Sequence, residues 1–183
     1  MNDPIALLVM DMQPSILKNL PDASGLIANV QAAISFARRS SIAVIYVRVG
    51  FRPGFPEVSP RNKSFSTARE RWSGIPVDEF LEIHPAVKPE PNEAIVTKRR
   101  ISAFTGSDLE VLLRAGQNSH LVLTGISTSG VVLSTVREAA DRDYQLTVLS
   151  DACADPDEEV HHILTRKVFP RQADVMETGS WIH

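Results

Sequence analysis

One cysteine stands in 183 residues, and that scarcity excludes more than any motif present. Cys153 alone cannot close an intramolecular disulfide or furnish a cysteine metal site, so the chain fits a reducing, cytoplasmic setting. A basic excess is missing as well. The formal net charge of -3 and a pI of about 5.9 give no electrostatic footprint for nucleic acid or an anionic membrane. The basic triplet Lys98-Arg99-Arg100 is isolated, and its two arginines read as part of a solvated loop. Long apolar runs are also lacking. The opening Met1-Asn-Asp-Pro passes straight into Ile5 to Met10 without a basic flank, so neither a signal peptide nor a membrane span is expected. No Gly-x-Gly-x-x-Gly turn follows the first apolar run, which argues against a dinucleotide site.

What is present is enough apolar sequence for one core. With 43% hydrophobic residues, residues 1–183 are expected to form a single domain. Short aliphatic runs alternate with amphipathic stretches, the pattern of βαβ units. Strands are expected at Ile5 to Met10, Ile42 to Val47, Ala94 to Thr97, Leu121 to Thr124, Leu146 to Ser150 and Ala173 to Met176. Their near-continuous apolarity implies burial on both faces, as in a parallel sheet. Helical periodicity runs over Ser24 to Arg39, Gly106 to Ala115, Ser129 to Arg142 and Asp157 to Phe169, with Asp108, Asp155 and Asp157 placed as first-turn or capping residues. The stretch from Gly50 to Pro91 breaks this rhythm and gathers Phe51, Phe55, Phe65, Trp72 and Phe80. An excursion of that length from a strand end is either a pocket wall or a packed surface loop.

Three strand ends carry chemistry. Asp11 follows Leu7-Leu-Val-Met, and Lys98 follows Ala94-Ile-Val-Thr, so a carboxylate and an ammonium each close a buried strand. Asp11 also suits a turn cap together with Gln13. The third end is the Gly125 to Val131 turn, where a helix N-terminus would present backbone N–H groups to an anion. In a parallel sheet these ends converge on one crevice.

Four segments, Leu7-Leu-Val-Met-Asp-Met-Gln, Val96-Thr-Lys-Arg-Arg-Ile-Ser-Ala-Phe, Thr124-Gly-Ile-Ser-Thr-Ser-Gly-Val-Val-Leu-Ser-Thr-Val-Arg-Glu-Ala and Val148-Leu-Ser-Asp-Ala-Cys-Ala-Asp, together resemble the isochorismatase-like hydrolase superfamily in order and spacing. The resemblance implies an α/β, Rossmann-like three-layer sandwich with a central six-stranded parallel sheet and helices on both faces. It also implies homodimers or larger homo-oligomers and a catalytic aspartate, lysine and cysteine. Asp11 and Lys98 match the first two. The cysteine position is Val131 here, and Cys153 lies after the next strand, where it reads as a small buried side chain. A non-proline cis peptide bond near Ile126-Ser127 is implied as well, with Gly125, Ile126, Ser127 and Thr128 forming the oxyanion turn.

Valine has neither a lone pair nor a proton, so the cysteine-type acyl-enzyme route is excluded at that position. The remaining set suits a reaction of this superfamily that needs an acid and no covalent intermediate, the hydrolysis of the vinyl ether of isochorismate. Asp11 is the expected acid and Lys98 its cationic partner. Gln13, Arg48, Arg52, Trp72 and Phe104 are expected to touch a small-molecule substrate, the arginines through a carboxylate. Some relatives bind a divalent ion through an Asp-x-His pair after the second strand. Arg48-Val-Gly-Phe-Arg-Pro-Gly lacks both groups, so neither a metal nor another cofactor is expected. Two alternatives stay open: a non-catalytic binding or scaffolding protein that retains the fold, and an amide hydrolase using a displaced serine such as Ser129 or Ser134.

Overall fold

The computed structural model describes residues 4–183, apart from the side chains of residues 68 and 69. Met1 to Asp3, on which the N-terminal reading partly rests, lie outside the described residues. Six strands, β1 (Ile5–Met10), β2 (Ala43–Val49), β3 (Ala94–Lys98), β4 (His120–Ile126), β5 (Gln145–Ala154) and β6 (Asp174–Met176), form one sheet in the order β3-β2-β1-β4-β5-β6. Every neighbouring pair is parallel. The helices are α1 (Pro14–Leu17), α2 (Ser24–Arg39), α3 (Ala68–Trp72), α4 (Val77–Phe80), α5 (Leu109–Ala115), α6 (Leu133–Ala140), α7 (Glu158–Ile163) and α8 (Thr178–Trp181).

Alternation along β1 explains the three layers. Ala6, Leu8 and Met10 share one core with Leu109 and Leu113 of α5 and Val136 of α6. Leu7 and Val9 point the other way, onto Leu26, Val30 and Ile34 of α2. Each face of a central strand is thus covered by helix, which is why the strand sequences carry so few polar residues.

The elements depart from expectation mostly at their ends. The helix expected from Gly106 starts at Leu109, because Gly106 is left-handed (φ 73°) and the Ser107 hydroxyl accepts the Leu109 N–H at 3.2 Å. The helix expected from Ser129 opens instead as a π turn over Thr128–Val132, with Val132 N–H reaching back five residues to Ser127 O at 3.2 Å. Beyond α7 the expected helix loosens into a π stretch, Leu164–Val168, and a 3-10 turn, Phe169–Arg171, where Pro170 supplies no amide hydrogen. β5 runs four residues past Ser150, past a register shift opposite Leu123 and Gly125. Asp157 caps α7 as expected, accepting from Glu159 and Val160 N–H at 3.0 and 3.2 Å. Asp108 stands at the α5 N-cap without a side-chain bond there.

The segment between β2 and β3 holds α3, α4 and a core of its own. Phe51, Phe65 and Phe80 are buried with Val49, and Phe55, Trp72 and Ile75 pack against them. The aromatic concentration seen in the sequence therefore builds a satellite cluster over the β2 end.

Candidate active site

The strand order reverses between β1 and β4, where an open parallel sheet leaves a crevice at its carboxyl edge. Asp11 leaves β1 in the left-handed region (φ 56°), a conformation open to aspartate more than to most residues, and its N–H bonds Val47 O at 2.7 Å. Its neighbour across the crevice, Gly125, has φ 128°, and a Cβ there would collide with Met10 O. Only glycine allows β4 to lie this close to the end of β1. The next peptide bond but one, Ile126-Ser127, is cis.

Asp11 and Lys98 meet. Lys98 Nζ lies 2.9 Å from Asp11 Oδ2 and donates to Arg100 O at 3.1 Å, which uses two of its three hydrogens. Both residues are nearly sealed, at 5% and 2% exposure. Burial raises the Asp11 pKa above the ordinary carboxylate value, and the charge and hydrogen bond of Lys98 oppose that rise without cancelling it. The Val49 amide also lies close enough to favour the carboxylate, yet its hydrogen bond goes to Gln13 Oε1 at 2.8 Å. Among the described residues Asp11 Oδ1 is left buried with no hydrogen-bond partner. A buried carboxyl oxygen without a donor favours the protonated acid, whose hydroxyl can itself donate.

Val131 is 2% exposed and belongs to the core that holds Met10, Val47, Val96 and Phe104. In the turn around it, three amides are already committed. Gly130 and Val132 N–H bond Ser127 O, and Ser129 N–H bonds Asp155 Oδ2 at 2.7 Å. The amides of Thr128 and Val131 make no bond outside their own turn among the described residues. Asp155, expected as an α7 cap, accepts from Asp157 N–H at 3.2 Å and so clasps both helix starts. Thr128 Oγ1 pairs with His161 Nδ1 at 2.8 Å, a contact no local pattern signals. Burial, and next the adjacent His162, lower the His161 pKa.

The other expected contacts separate. Gln13 is fully buried: its amide nitrogen donates to Val49 O at 3.1 Å and to Phe80 O at 2.5 Å, and its oxygen takes the Val49 amide. With every amide hydrogen used, it ties the excursion to β2 and has none left for a ligand. Arg48 is half-buried, donating to Thr97 Oγ1 at 3.1 Å and Leu81 O at 2.9 Å, and burial followed by neighbouring Arg99 lowers its pKa. Arg52 and Trp72 line a cavity in the excursion that includes neither Asp11 nor Lys98. Phe104 is turned away along α6: it is buried 5.9 Å from the Tyr144 ring, with the Arg142 guanidinium 4.9 Å over its face. Its place soon after Lys98 in sequence is misleading, because the chain runs down α6, where Ala103 N–H bonds Thr135 Oγ1 at 3.0 Å.

Arg99 and Arg100, expected to be solvated, are half-buried braces. Arg99 donates to Gly50 O at 2.7 Å and Arg100 to Glu57 O at 3.0 Å, holding the excursion against the end of β3. Cys153 is buried beside β4, and desolvation pushes its thiol up to about 12, so it is an inert packing group. Ser129 is exposed and Ser134 half-buried on the first turns of the helix. No group of three or more His, Cys, Asp and Glu side chains gathers as a metal site among the described residues, and no helix there is long and apolar enough to cross a membrane.

The chain is similar to known proteins in sequence and in fold. The isochorismatase domain model matches residues 5–180. The isochorismatase family protein YwoC of Bacillus subtilis is 29% identical over 91% of this chain and 86% of its own length. A ureidoacrylate amidohydrolase, RutB of Variovorax paradoxus, is 32% identical over 80% of this chain and 67% of its own. The crystal structure of N-carbamoylsarcosine amidase from Thermoplasma acidophilum superposes with a TM-score of 0.76 at 26% identity, covering 95% of this chain and 96% of that one. A match of this extent, in sequence and in a six-stranded parallel sheet alike, makes the assignment: the chain belongs to the isochorismatase family.

Proposed function

We propose that this chain is a small-molecule hydrolase whose chemistry runs on Asp11 and Lys98 without a cysteine. The observation that carries the reading is the Asp11 carboxyl, buried and raised in pKa, with one oxygen 2.9 Å from an ammonium and the other unpartnered among the described residues. A carboxyl whose pKa burial raises is disposed to act as a general acid. Val131, at the position matched to the nucleophile, cannot form an acyl-enzyme, so the amide chemistry in the names of the relatives is not the reaction we assign.

The substrate we favour is isochorismate. Asp11 gives its proton to the methylene carbon of the enol ether, and the positive charge becomes an oxocarbenium ion. Water adds to the carbon bearing that charge, and the proton it sheds restores the acid. The hemiketal then loses its hydroxyl proton as the bond from its carbon to the ether oxygen breaks, and that oxygen takes up a proton as the ring's second hydroxyl, releasing pyruvate and a dihydroxylated cyclohexadiene carboxylate. Lys98 stabilises the Asp11 carboxylate between these steps, while the Thr128 and Val131 amides are the donors for a substrate carboxylate. We also expect the chain to act as a homodimer or larger homo-oligomer, which light scattering would test.

A second reading, a binding protein that keeps the fold without turnover, is favoured by closure. Asp11, Lys98 and Val131 are 5%, 2% and 2% exposed, so substrate must displace something to enter. The test is pyruvate release from isochorismate by the purified protein beside Asp11→Ala. Release lost in the variant supports the enzyme; none above the variant's background sinks it and leaves the binding reading.

A further inference from the structure

The excursion between β2 and β3 encloses a cavity of about 280 Å³. Its walls are aromatic. Phe51 stacks on Trp72 at 5.8 Å and 23°, Trp72 meets Phe80 at 4.8 Å, and Phe55 closes on Phe51 at 5.8 Å. Val77, itself 39% exposed, forms part of the wall. Among the described residues Arg52 is the charged one in the lining, and its side chain is 66% exposed at the mouth.

The charge there is positive on balance. Arg52 Nη1 holds Glu57 Oε1 at 2.6 Å, but the same carboxylate oxygen lies 3.4 Å from Arg99 Nε, so two guanidinium groups share one carboxylate. Arg52 Nε and Nη2 make no bond among the described residues. A guanidinium binds a carboxylate best with two parallel N–H groups, and this one keeps such an edge open. Asp78 and Glu79 of α4 are near in sequence to the wall but do not line the cavity.

We propose that this cavity is a binding site, separate from Asp11 and Lys98, for a compact aromatic or alicyclic monocarboxylate. The ring enters among Phe51, Trp72 and Phe80, and the carboxylate meets Arg52. Aromatic walls of this extent with one cation at the rim among the described residues match an amphiphilic anion better than a neutral or dianionic ligand. The proposal is independent of the reaction assigned to Asp11.

Benzoate is the probe, titrated by calorimetry and by quenching of tryptophan emission. Trp72 sits in the cavity wall, whereas Trp181 packs on Phe36 at 4.9 Å against α2, so the quenching by benzoate comes from Trp72 and is lost in Trp72→Phe. Arg52→Gln, a surface change that spares the core, weakens benzoate about tenfold or more. Benzamide binds correspondingly worse than benzoate to the unaltered protein, and Val77→Phe, which fills the wall, abolishes both. Benzoate affinity unchanged in Arg52→Gln, equal to that of benzamide, or absent altogether overturns the site. Pyruvate release is not read in any arm, so failure of binding at this cavity leaves the role of Asp11 untouched.

Discussion

Replacing Lys98 with methionine removes the ammonium and keeps most of the side-chain volume, which isolates the charge. At 2.9 Å the gross attraction to Asp11 is about 6 kcal/mol at an effective dielectric of roughly 20, before desolvation is subtracted. Removing one partner of a buried pair typically costs about 3–5 kcal/mol, because the survivor is left as an uncompensated charge. Here the survivor has an escape, since Asp11 can take a proton. Its folded pKa already lies above the unfolded value, so its contribution to stability is fully present below the unfolded pKa and is lost as pH rises through the folded one. Without Lys98 the folded pKa climbs further, and the loss extends to higher pH. The penalty of Lys98→Met, read by urea unfolding, is therefore about 3–5 kcal/mol near pH 8 and shrinks or reverses at about pH 4.5. Asp11→Asn combined with Lys98→Met loses the pH dependence. A penalty of the same size at both pH values would show that Lys98 contributes by packing, and the electrostatic account of the pair would fail.

Three further outcomes follow from the same geometry. Gly125→Ala places a methyl group on Met10 O at positive φ, and we expect a loss of about 3 kcal/mol or more, or insoluble protein, in thermal unfolding. Cys153, buried with its thiol pushed up to about 12, stays unlabelled by a thiol reagent in the native protein at pH 8 and reacts once urea unfolds the chain; prompt native labelling contradicts its burial. Asp157→Ala removes both cap bonds of α7 and costs about 1 kcal/mol, with no change at Asp11.

The central fold was legible because its signals are local. β1 and α2 begin and end where their periodicity does, and Asp11 and Lys98 meet because each closes a strand of the same parallel sheet. The π turn at Thr128 was not legible, since a bond from Val132 back to Ser127 differs from an α-helical bond by one residue and leaves the apolar pattern intact. Contacts between distant segments were the other blind spot. Glu57 shared by Arg52 and Arg99, Thr128 joined to His161, and Phe104 carried down to Tyr144 all depend on where loops travel, which composition does not encode. Arg52 and Trp72 stand out in the sequence as candidate ligand contacts, but the structure groups them in a cavity of their own.

The most direct test of acid catalysis by Asp11 is the pH profile of kcat/KM for pyruvate release from isochorismate, measured on the wild type and on Asp11→Asn. Because the proton-bearing form is the active one and burial raises its pKa, wild-type activity holds at acidic pH and falls as pH rises through that value. Asp11→Asn, nearly isosteric, stays at background throughout. Activity that rises with pH, or a variant that matches the wild type, contradicts the assignment of Asp11 as the acid.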